Sequence, residues 1–291
     1  MRGLWNARNA AIIATVAAIS GGAAASAESL DMSVFGKEAR TIDYPKPWTL
    51  RHLITPGELT IGVTGKAPPS SFTTDSGELD GARIKLFKKI GADLGLKVNF
   101  VRLDWPGILP GLAANKFDLA CEGASVSLTR LQSPDFFLTR PVNANAVVGI
   151  TLKDSPIKTW SDVSDKRLGG VRGELEFESG KKAAPGASTV DLPGRQEGVL
   201  ALRNGQIDAF SMDLLAAAAL VNDPENADIR IFGPPVDVGV QSVCVNKNEG
   251  DLLEAVNLLL TNYRVDGTLS ALEKEYFKTD ADITLLGSFG Y

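Results

Sequence analysis

Strand-like and helix-like segments alternate along this chain in two series, with a break between them. The first series comprises strand 59–63, helix Ala82–Leu94, strand 97–103, helix 107–115 and strand 117–121. The second series comprises strand 146–151, the short turn or helix Trp160–Val163, strand 168–171, helices 174–183 and 196–204, and strand 207–211. A strand at 240–245, an amphipathic helix from Leu252 to Tyr263 and the segment Thr268–Phe277 follow. This alternation predicts two α/β units built on parallel βαβ connections.

The N-terminus has the layout of an export signal. Two arginines precede an apolar run of about ten residues, and Ala25, Ser26 and Ala27 supply the small residues that signal peptidase requires. Because a run of about ten residues is too short to cross a bilayer, we predict a cleaved signal peptide at 1–27. A retained N-terminal anchor is the alternative. Residues 28–57 form a lead-in rich in proline breakers.

Composition narrows the class of partner. A net charge of −5 argues against nucleic acid or an anionic membrane surface as a binding partner, because neither attracts an acidic protein. His52 is the sole histidine, which excludes histidine triads and multi-histidine metal sites, so we expect no metal and no other cofactor. Cys121 and Cys244 lie in apolar runs, and either a disulfide or two buried thiols is compatible with the sequence.

Polar residues follow the predicted strands, where open parallel sheets bind ligands. The strand ending at Cys121 leads into a hydroxyl-rich turn with Ser125 and Ser127, which Arg130 closes. Backbone N–H groups, hydroxyls and a guanidinium suit a carboxylate held at two points. The alternative is a serine-capped helix start with Arg130 in a surface ion pair.

A second strand delivers an aspartate at its end. Asp213 comes directly after the strand 207–211 and Met212. Aspartate at such a position is commonly a helix N-cap, which is the alternative here. An anion site in one unit and a carboxylate in the other would nevertheless match the two charged ends of an amino acid.

The order of the motifs along the chain resembles the polar amino-acid solute-binding family of bacterial ABC transporters from about Gly57 to Phe277. The motifs are Gly57-Glu58-Leu59-Thr60-Ile61-Gly62-Val63, Pro68-Pro69-Ser70-Ser71-Phe72, Gly77-Glu78-Leu79-Asp80-Gly81, Lys116-Phe117-Asp118-Leu119, Ser127-Leu128-Thr129-Arg130, Asn204-Gly205-Gln206-Ile207-Asp208-Ala209 with Asp213, and Asp266-Gly267-Thr268. Each motif is weak alone, and their shared order over some 220 residues is specific.

The resemblance implies a type II periplasmic binding-protein fold. Each of its two lobes is a mostly parallel sheet flanked by helices, and two hinge strands near 141–145 and 235–240 join them. It places lobe I at 58–142 plus 239–280, lobe II at 143–238 and a C-terminal tail at 281–291. It also implies a monomer in the periplasm that binds a small amino-acid-like ligand, contacts a membrane permease and binds no nucleic acid.

The resemblance also implies roles for individual residues. Arg130 would bind the ligand's α-carboxylate, assisted by the Ser125 N–H and by the N–H groups of Gly173 and Glu174 at a helix N-terminus. Asp213 would bind the α-ammonium together with the Ser125 hydroxyl and the Gly123 carbonyl.

The wall of the ligand cleft departs from the family pattern. Trp105 would pack on the ligand side chain, or else be a core tryptophan. Thr64 and Ser70 would line the cleft, and Ser70 and Ala67 stand where relatives often have aromatic residues, so the pocket should be roomier or more polar there. After Gly81, the family's usual pattern of glycine, apolar residue and acid is replaced by Ala82-Arg83-Ile84-Lys85. Glu174 stands where a threonine is expected.

Glu122 stands where the family commonly has a small residue. Its carboxylate could receive a cationic or hydrogen-bond-donating group of the ligand. Neutralisation by Lys66, Arg83 or Arg140 is the equal alternative. These departures leave an amino-acid derivative such as an opine open as the ligand.

Two other functions share this fold. A dehydratase of aromatic amino-acid biosynthesis would need a positioned acid, for which Glu122 and Glu174 are candidates. A sensory binding protein that signals through a receptor is the third function. The sequence favours the non-enzymatic transport function over both.

Overall fold

The structure of the protein is a computed structural model that describes residues 49–278, apart from the side chain of Cys121. The predicted signal peptide, most of the lead-in and the predicted tail lie outside these residues. Within the described part of the chain, no helix is long and apolar enough to cross a membrane.

Strands and helices alternate through the described residues. The strands are β1 (Glu58–Val63), β2 (Lys66–Ala67), β3 (Ser71–Thr73), β4 (Leu79–Asp80), β5 (Lys97–Arg102), β6 (Leu119–Ser125), β7 (Phe136–Leu138), β8 (Asn143–Leu152), β9 (Arg167–Val171), β10 (Ser188–Leu192), β11 (Ala209–Asp213) and β12 (Ile229–Asn246). The α-helices are α1 (Ala82–Leu94), α2 (Trp105–Ala113), α3 (Leu128–Leu131), α4 (Leu175–Ala183), α5 (Arg195–Arg203), α6 (Leu214–Asn222), α7 (Gly250–Val265) and α8 (Thr268–Phe277). Short 3₁₀ helices cover Trp160–Val163 and Pro224–Asn226.

The main sheet has two parallel halves joined by two long antiparallel strands. Its order is β10-β9-β11-β8-β12-β6-β1-β5, and β7 pairs with β12. In the β1 half, β1 is parallel to β5 and β6; in the β9 half, β9 is parallel to β10 and β11. Strands β8 and β12 pair with each other between the halves, with Gly239 opposite Asn145. The predicted hinge segments are therefore neighbours in one ladder, while the predicted lobe boundaries stay predictions.

The first core lies beside the β1 half, and helix α1 shows how the sequence builds it. Ile84, Phe87 and Ile90 recur at helical spacing and are fully buried, as the sequence pattern predicts. Gly95 ends the helix in the left-handed region at φ 71°, where glycine carries no Cβ penalty. The apolar face of α7 packs into the same core through Leu252 and other residues.

A second core spans both halves of the sheet. It joins α2 and β6 to α5 and β11, with Ile108, Leu112, Leu202 and Phe210 among its buried residues. Because side chains from both halves share this core, the halves are held close in the arrangement seen here.

The sequence does not predict the short strands β2, β3, β4 and β7, nor two longer elements, β10 and α6. Strand β10 is short and partly exposed, so it carries little of the apolar signal by which strands are recognised. Helix α6 is rich in alanine and leucine throughout, and it therefore has no polar face to reveal a helical period. Strand β12 begins at Ile229, well before the predicted strand 240–245, whereas the predicted ends of the other major elements fall within a few residues of the observed ends.

A buried ion pair joins α1 to α8. The guanidinium of Arg83 contacts the carboxylate of Glu273, and its Nη2 also donates to Asn143 Oδ1 at 2.9 Å. Both charged side chains are 1% exposed. Arg83 is therefore a structural residue that links two helices to β8, at a position where the sequence departs from the family pattern.

We predict that replacing Glu273 alone by leucine lowers the free energy of unfolding by about 3–5 kcal/mol, because the Arg83 guanidinium stays buried without its carboxylate. The double variant Arg83→Met, Glu273→Leu should recover most of this loss. Urea unfolding at neutral pH measures both. If the free energy of unfolding of Glu273→Leu lay within about 1 kcal/mol of the wild-type value, the structural role of the Arg83–Glu273 pair would be contradicted.

Candidate functional site

The carboxyl ends of strands from both halves of the sheet meet at one cleft. Strands β1 and β6 contribute from the β1 half, and β9 and β10 contribute from the β9 half, as expected for an open parallel sheet. The residues that line this cleft are Thr64, Lys66, Ala67, Ser70, Trp105, Glu122, Gly123, Ser125, Arg130, Val171, Glu174, Glu176, Pro193, Gly194, Arg195 and Gln241.

Arg130 brings a positive charge to the cleft from the short helix α3. Ser127 caps this helix by accepting a hydrogen bond from the Arg130 N–H at 3.3 Å. The guanidinium donates to the Ser125 carbonyl at 2.8 Å and lies 5.7 Å from the centre of the Trp105 ring. The serine-capped helix start is therefore confirmed, and within residues 49–278 no carboxylate forms an ion pair with Arg130. Most of its five N–H donors remain available to an anion.

Trp105 takes part in the core and in the cleft. Its side chain is 7% exposed and packs in the second core. The ring also lines the cleft beside Gly173, where an added Cβ would lie 3.7 Å from the ring, at ordinary contact distance. The two alternatives for Trp105 are therefore compatible.

Glu122 presents a buried carboxylate to the cleft. Its Oε1 accepts hydrogen bonds from the Thr64 N–H at 2.5 Å and from the Ser71 hydroxyl at 2.7 Å. Its Oε2 has no partner in the described part of the chain. Burial raises the pKa of Glu122 above its ordinary value, although these two hydrogen bonds oppose the shift.

The three cations considered for neutralising Glu122 are engaged elsewhere. Lys66 bonds to Asp104 Oδ1 at 2.9 Å, and Arg83 pairs with Glu273. Arg140 donates to Thr261 Oγ1 at 2.5 Å. The neutralisation alternative is therefore wrong for each of them, and one oxygen of the Glu122 carboxylate stays open to another donor.

Asp213 lies behind Arg195. Its Oδ2 is 2.6 Å from Arg195 Nη1, and its Oδ1 accepts from the Ala216 N–H at 2.8 Å. The second contact caps α6, which confirms the N-cap alternative. Asp213 is not among the residues that line the cleft, and its predicted contact with a ligand ammonium stays a prediction.

Arg195 also approaches Glu174 from the other side. Its Nη2 lies 3.7 Å from Glu174 Oε1. Burial raises the pKa of Glu174 to about 8, and the nearby Arg195 only partly opposes this shift. The Glu174 carboxyl is therefore mostly protonated at neutral pH. The Glu174 N–H donates to Val171 O at 3.1 Å, so the expectation that it binds the ligand's carboxylate needs correction: that N–H is already engaged.

Glu176 faces Ser125 across the cleft. Its Oε1 accepts from the Ser125 hydroxyl at 2.6 Å and from Asn145 Nδ2 at 3.0 Å. The residue is 4% exposed, and no lysine or arginine of the described chain forms an ion pair with it. A second buried carboxylate thus lies in the cleft without a cation.

The structure brings most of the predicted site residues together. Those that line the cleft are Thr64, Ser70, Trp105, Glu122, Gly123, Ser125, Arg130 and Glu174. Gly173 lies just before α4 at φ 83°, a backbone conformation that favours glycine. Asp213 does not line the cleft but contacts Arg195, which does. Their roles toward a ligand stay predictions.

Three polar residues of the lining were not predicted: Glu176, Arg195 and Gln241. Lys66 was considered only as a cation for Glu122. The strand-end rule points to Arg195, since β10 ends at Leu192 and Arg195 follows directly after the proline and glycine that line the cleft. It could not be applied because β10 itself was not recognised. Lys66 also lies 3.7 Å from Glu197 on α5, a contact that joins the two sides of the cleft.

The fold and the cleft define a class of protein: the two-lobed binding proteins of the type II periplasmic fold, which hold a solute between their lobes. The chain matches the bacterial extracellular solute-binding proteins, family 3, over residues 59–279. The chain belongs to this family.

Three similar proteins illustrate the relationship. The L-cystine-binding protein TcyJ of Escherichia coli (strain K12) is 28% identical over 226 residues, which cover 77% of this chain and 84% of the relative. The structure of an ancestral arginine-binding protein bound to glutamine is 27% identical and covers 77% of this chain and 100% of that chain, with a TM-score of 0.71. The structure of the ancestral amino acid-binding protein AncCDT-1, a precursor of cyclohexadienyl dehydratase, is 25% identical. The match covers 76% of this chain and 96% of that chain, with a TM-score of 0.70.

The raised pKa of Glu174 predicts a pH-dependent contribution to stability. The native state holds this proton up to about pH 8, whereas the unfolded chain releases it near its ordinary pKa of 4.5. The contribution is therefore complete below the ordinary pKa, and the free energy of unfolding falls as the pH rises through about 8. Glu174→Gln should lack this component.

Denaturant unfolding of wild type and Glu174→Gln at several values between about pH 5 and about pH 9 measures it. The variant should become more stable relative to the wild type as the pH rises. A difference that does not change with pH would contradict a Glu174 pKa near 8.

Proposed function

We propose that this protein is the periplasmic substrate-binding component of an ABC importer. It binds an amino acid or an amino-acid derivative in the cleft and delivers it to a membrane permease. The single observation that carries the proposal is the Arg130 guanidinium, which lies in the cleft without a carboxylate partner among the described residues.

The chemistry of Arg130 favours a carboxylate as its ligand group. A guanidinium offers two parallel N–H groups that match the two oxygens of a carboxylate. The N-terminal end of helix α4 also faces the cleft and adds positive potential. Phosphate is a poorer match, because the Glu122 and Glu176 carboxyls line the same space and disfavour a doubly charged anion more than a singly charged one.

Trp105 and Glu122 suggest what lies beyond the carboxylate. The Trp105 ring offers an apolar face to the ligand's side chain. The Glu122 carboxyl, with one unpartnered oxygen, offers a polar end that would accept a hydrogen bond or a positive charge. We therefore expect a ligand whose side chain carries an N–H or cationic group, as arginine and glutamine do.

The arrangement also supports closure around the ligand. Arg130 belongs to the predicted lobe I, and Glu174 and Glu176 belong to the predicted lobe II. A ligand that contacts both sides is fully satisfied only when the lobes meet, so its binding energy stabilises the closed form. Lys66 and Glu197 contribute a protein contact across the same opening.

One observation favours the dehydratase as a second candidate. Glu174 is a buried carboxyl that keeps its proton at neutral pH, as a general acid must. The similarity to AncCDT-1, an amino acid-binding precursor of such an enzyme, is compatible with either function. We propose the non-enzymatic function, because TcyJ is a binding protein and the matching family consists of solute-binding proteins.

Purified protein should form no product from prephenate or arogenate beyond the uncatalysed rate. Chromatography of the reaction mixture after incubation measures this. Turnover that is lost in Glu174→Gln would favour the dehydratase and contradict the proposed function.

The central test of the proposed function is Arg130→Ala. Calorimetry against the proteinogenic L-amino acids and L-cystine should find stoichiometric binding of at least one of them by the wild type. The variant should lose about 2–5 kcal/mol of binding free energy, which is about thirtyfold in affinity or more, because the ligand's carboxylate loses its desolvated partner.

Arg102→Ala is a matched control, since Arg102 also donates to a backbone carbonyl but lies exposed and outside the cleft. Its affinity should equal that of the wild type. Unchanged affinity in Arg130→Ala would contradict the proposed function.

A further inference from the structure

We infer that Glu176, and not Asp213, receives the α-ammonium of the ligand. The inference rests on the proposed function, since it requires a ligand whose carboxylate is bound by Arg130. It assigns the cation subsite to a residue that the family resemblance did not indicate.

Asp213 has its partners within the protein. Arg195 lies 2.6 Å from one carboxylate oxygen, and the Ala216 N–H donates to the other at 2.8 Å. Asp213 is 3% exposed and does not line the cleft, whereas Arg195 does. A ligand ammonium that approached Asp213 would lie beside the Arg195 guanidinium and be repelled by it.

Glu176 is placed where an ammonium is needed. Its Oε1 accepts from the Ser125 hydroxyl at 2.6 Å, while the Ser125 carbonyl accepts from Arg130 at 2.8 Å. One residue thus touches both the guanidinium and the carboxylate. The α-ammonium and α-carboxylate of an amino acid branch from a single carbon, so their partners must lie this close together.

The charges in the cleft agree with this assignment. Arg195 and Asp213 neutralise each other, and Glu174 is mostly protonated. Arg130, Glu122 and Glu176 are left, each without an ion-pair partner in the described chain. Of the two carboxyls, only Glu176 shares a hydrogen-bonding residue, Ser125, with Arg130. A buried carboxylate without a cation is costly, and the ammonium of a zwitterion would supply the missing charge.

The hydrogen bonds of Ser125 leave room for the ammonium. Its hydroxyl donates to Glu176 and accepts from Asn145 Nδ2 at 3.0 Å. A hydroxyl oxygen has a second lone pair, which a neighbouring ammonium can use. Ser125 therefore keeps the ammonium contact that the sequence predicts for it, with Glu176 as the charged partner.

The test compares Glu176→Gln with Asp213→Asn in the full chain. The probe is the amino acid of the binding panel with the highest affinity, together with its deaminated analogue: for L-arginine 5-guanidinopentanoate, and for L-glutamine glutaramate. Glutamine at 176 keeps an oxygen for the Ser125 and Asn145 hydrogen bonds, so the variant should fold. Glu178→Gln is the matched control, because Glu178 is on the same helix and pairs with Lys181 outside the cleft.

Glu176→Gln should lower the affinity for the amino acid at least tenfold and leave the affinity for the analogue within about threefold of the wild-type value. Asp213→Asn should change both affinities by the same factor, and Glu178→Gln should change neither. The inference is overturned if Glu176→Gln leaves amino-acid binding intact, or weakens amino acid and analogue equally. It is also overturned if Asp213→Asn weakens the amino acid alone.

These outcomes separate the inference from the proposed function. Binding that depends on Arg130 but not on Glu176 overturns the inference and leaves the proposed function standing. The absence of any binding that depends on Arg130 overturns both.

Discussion

The antiparallel pairing of β8 with β12 is the constraint on which the site depends. These strands lie between the two parallel halves of the sheet and hold them in one ladder. The carboxyl ends of both sets of parallel strands therefore open onto one cleft. The same ladder contributes Gln241 to the cleft lining and Asn145 to the hydrogen bonds of Glu176.

The electrostatics of the cleft show a division between charges that serve the fold and charges that are left for a ligand. Arg83 with Glu273, and Arg195 with Asp213, are paired inside the protein. Arg130 is not paired in the described chain, and it is held by a backbone carbonyl that does not cancel its charge. Burial also keeps a proton on Glu174, which removes a negative charge that would otherwise compete for a ligand's cation.

Much of the fold could be predicted because local sequence determines it. Helix α1 has the predicted limits, since its apolar spacing and Gly95 are both local signals. Helix α6 was missed because residues apolar on every face carry no period. The position of Arg130 beside Trp105 and Ser125 could be predicted from the strand-end rule and the family resemblance. The pairing of Arg195 with Asp213 could not be predicted from the sequence. The two residues are 18 positions apart and meet only in the folded β9 half.

A crystal structure of the protein with a bound amino acid would show which residue holds each charged end of the ligand. We expect the ligand in the cleft, with its α-carboxylate within hydrogen-bond distance of the Arg130 guanidinium and its α-ammonium beside Glu176. A carboxylate bound to Arg195, an ammonium bound to Asp213, or a ligand outside the cleft would contradict this expectation.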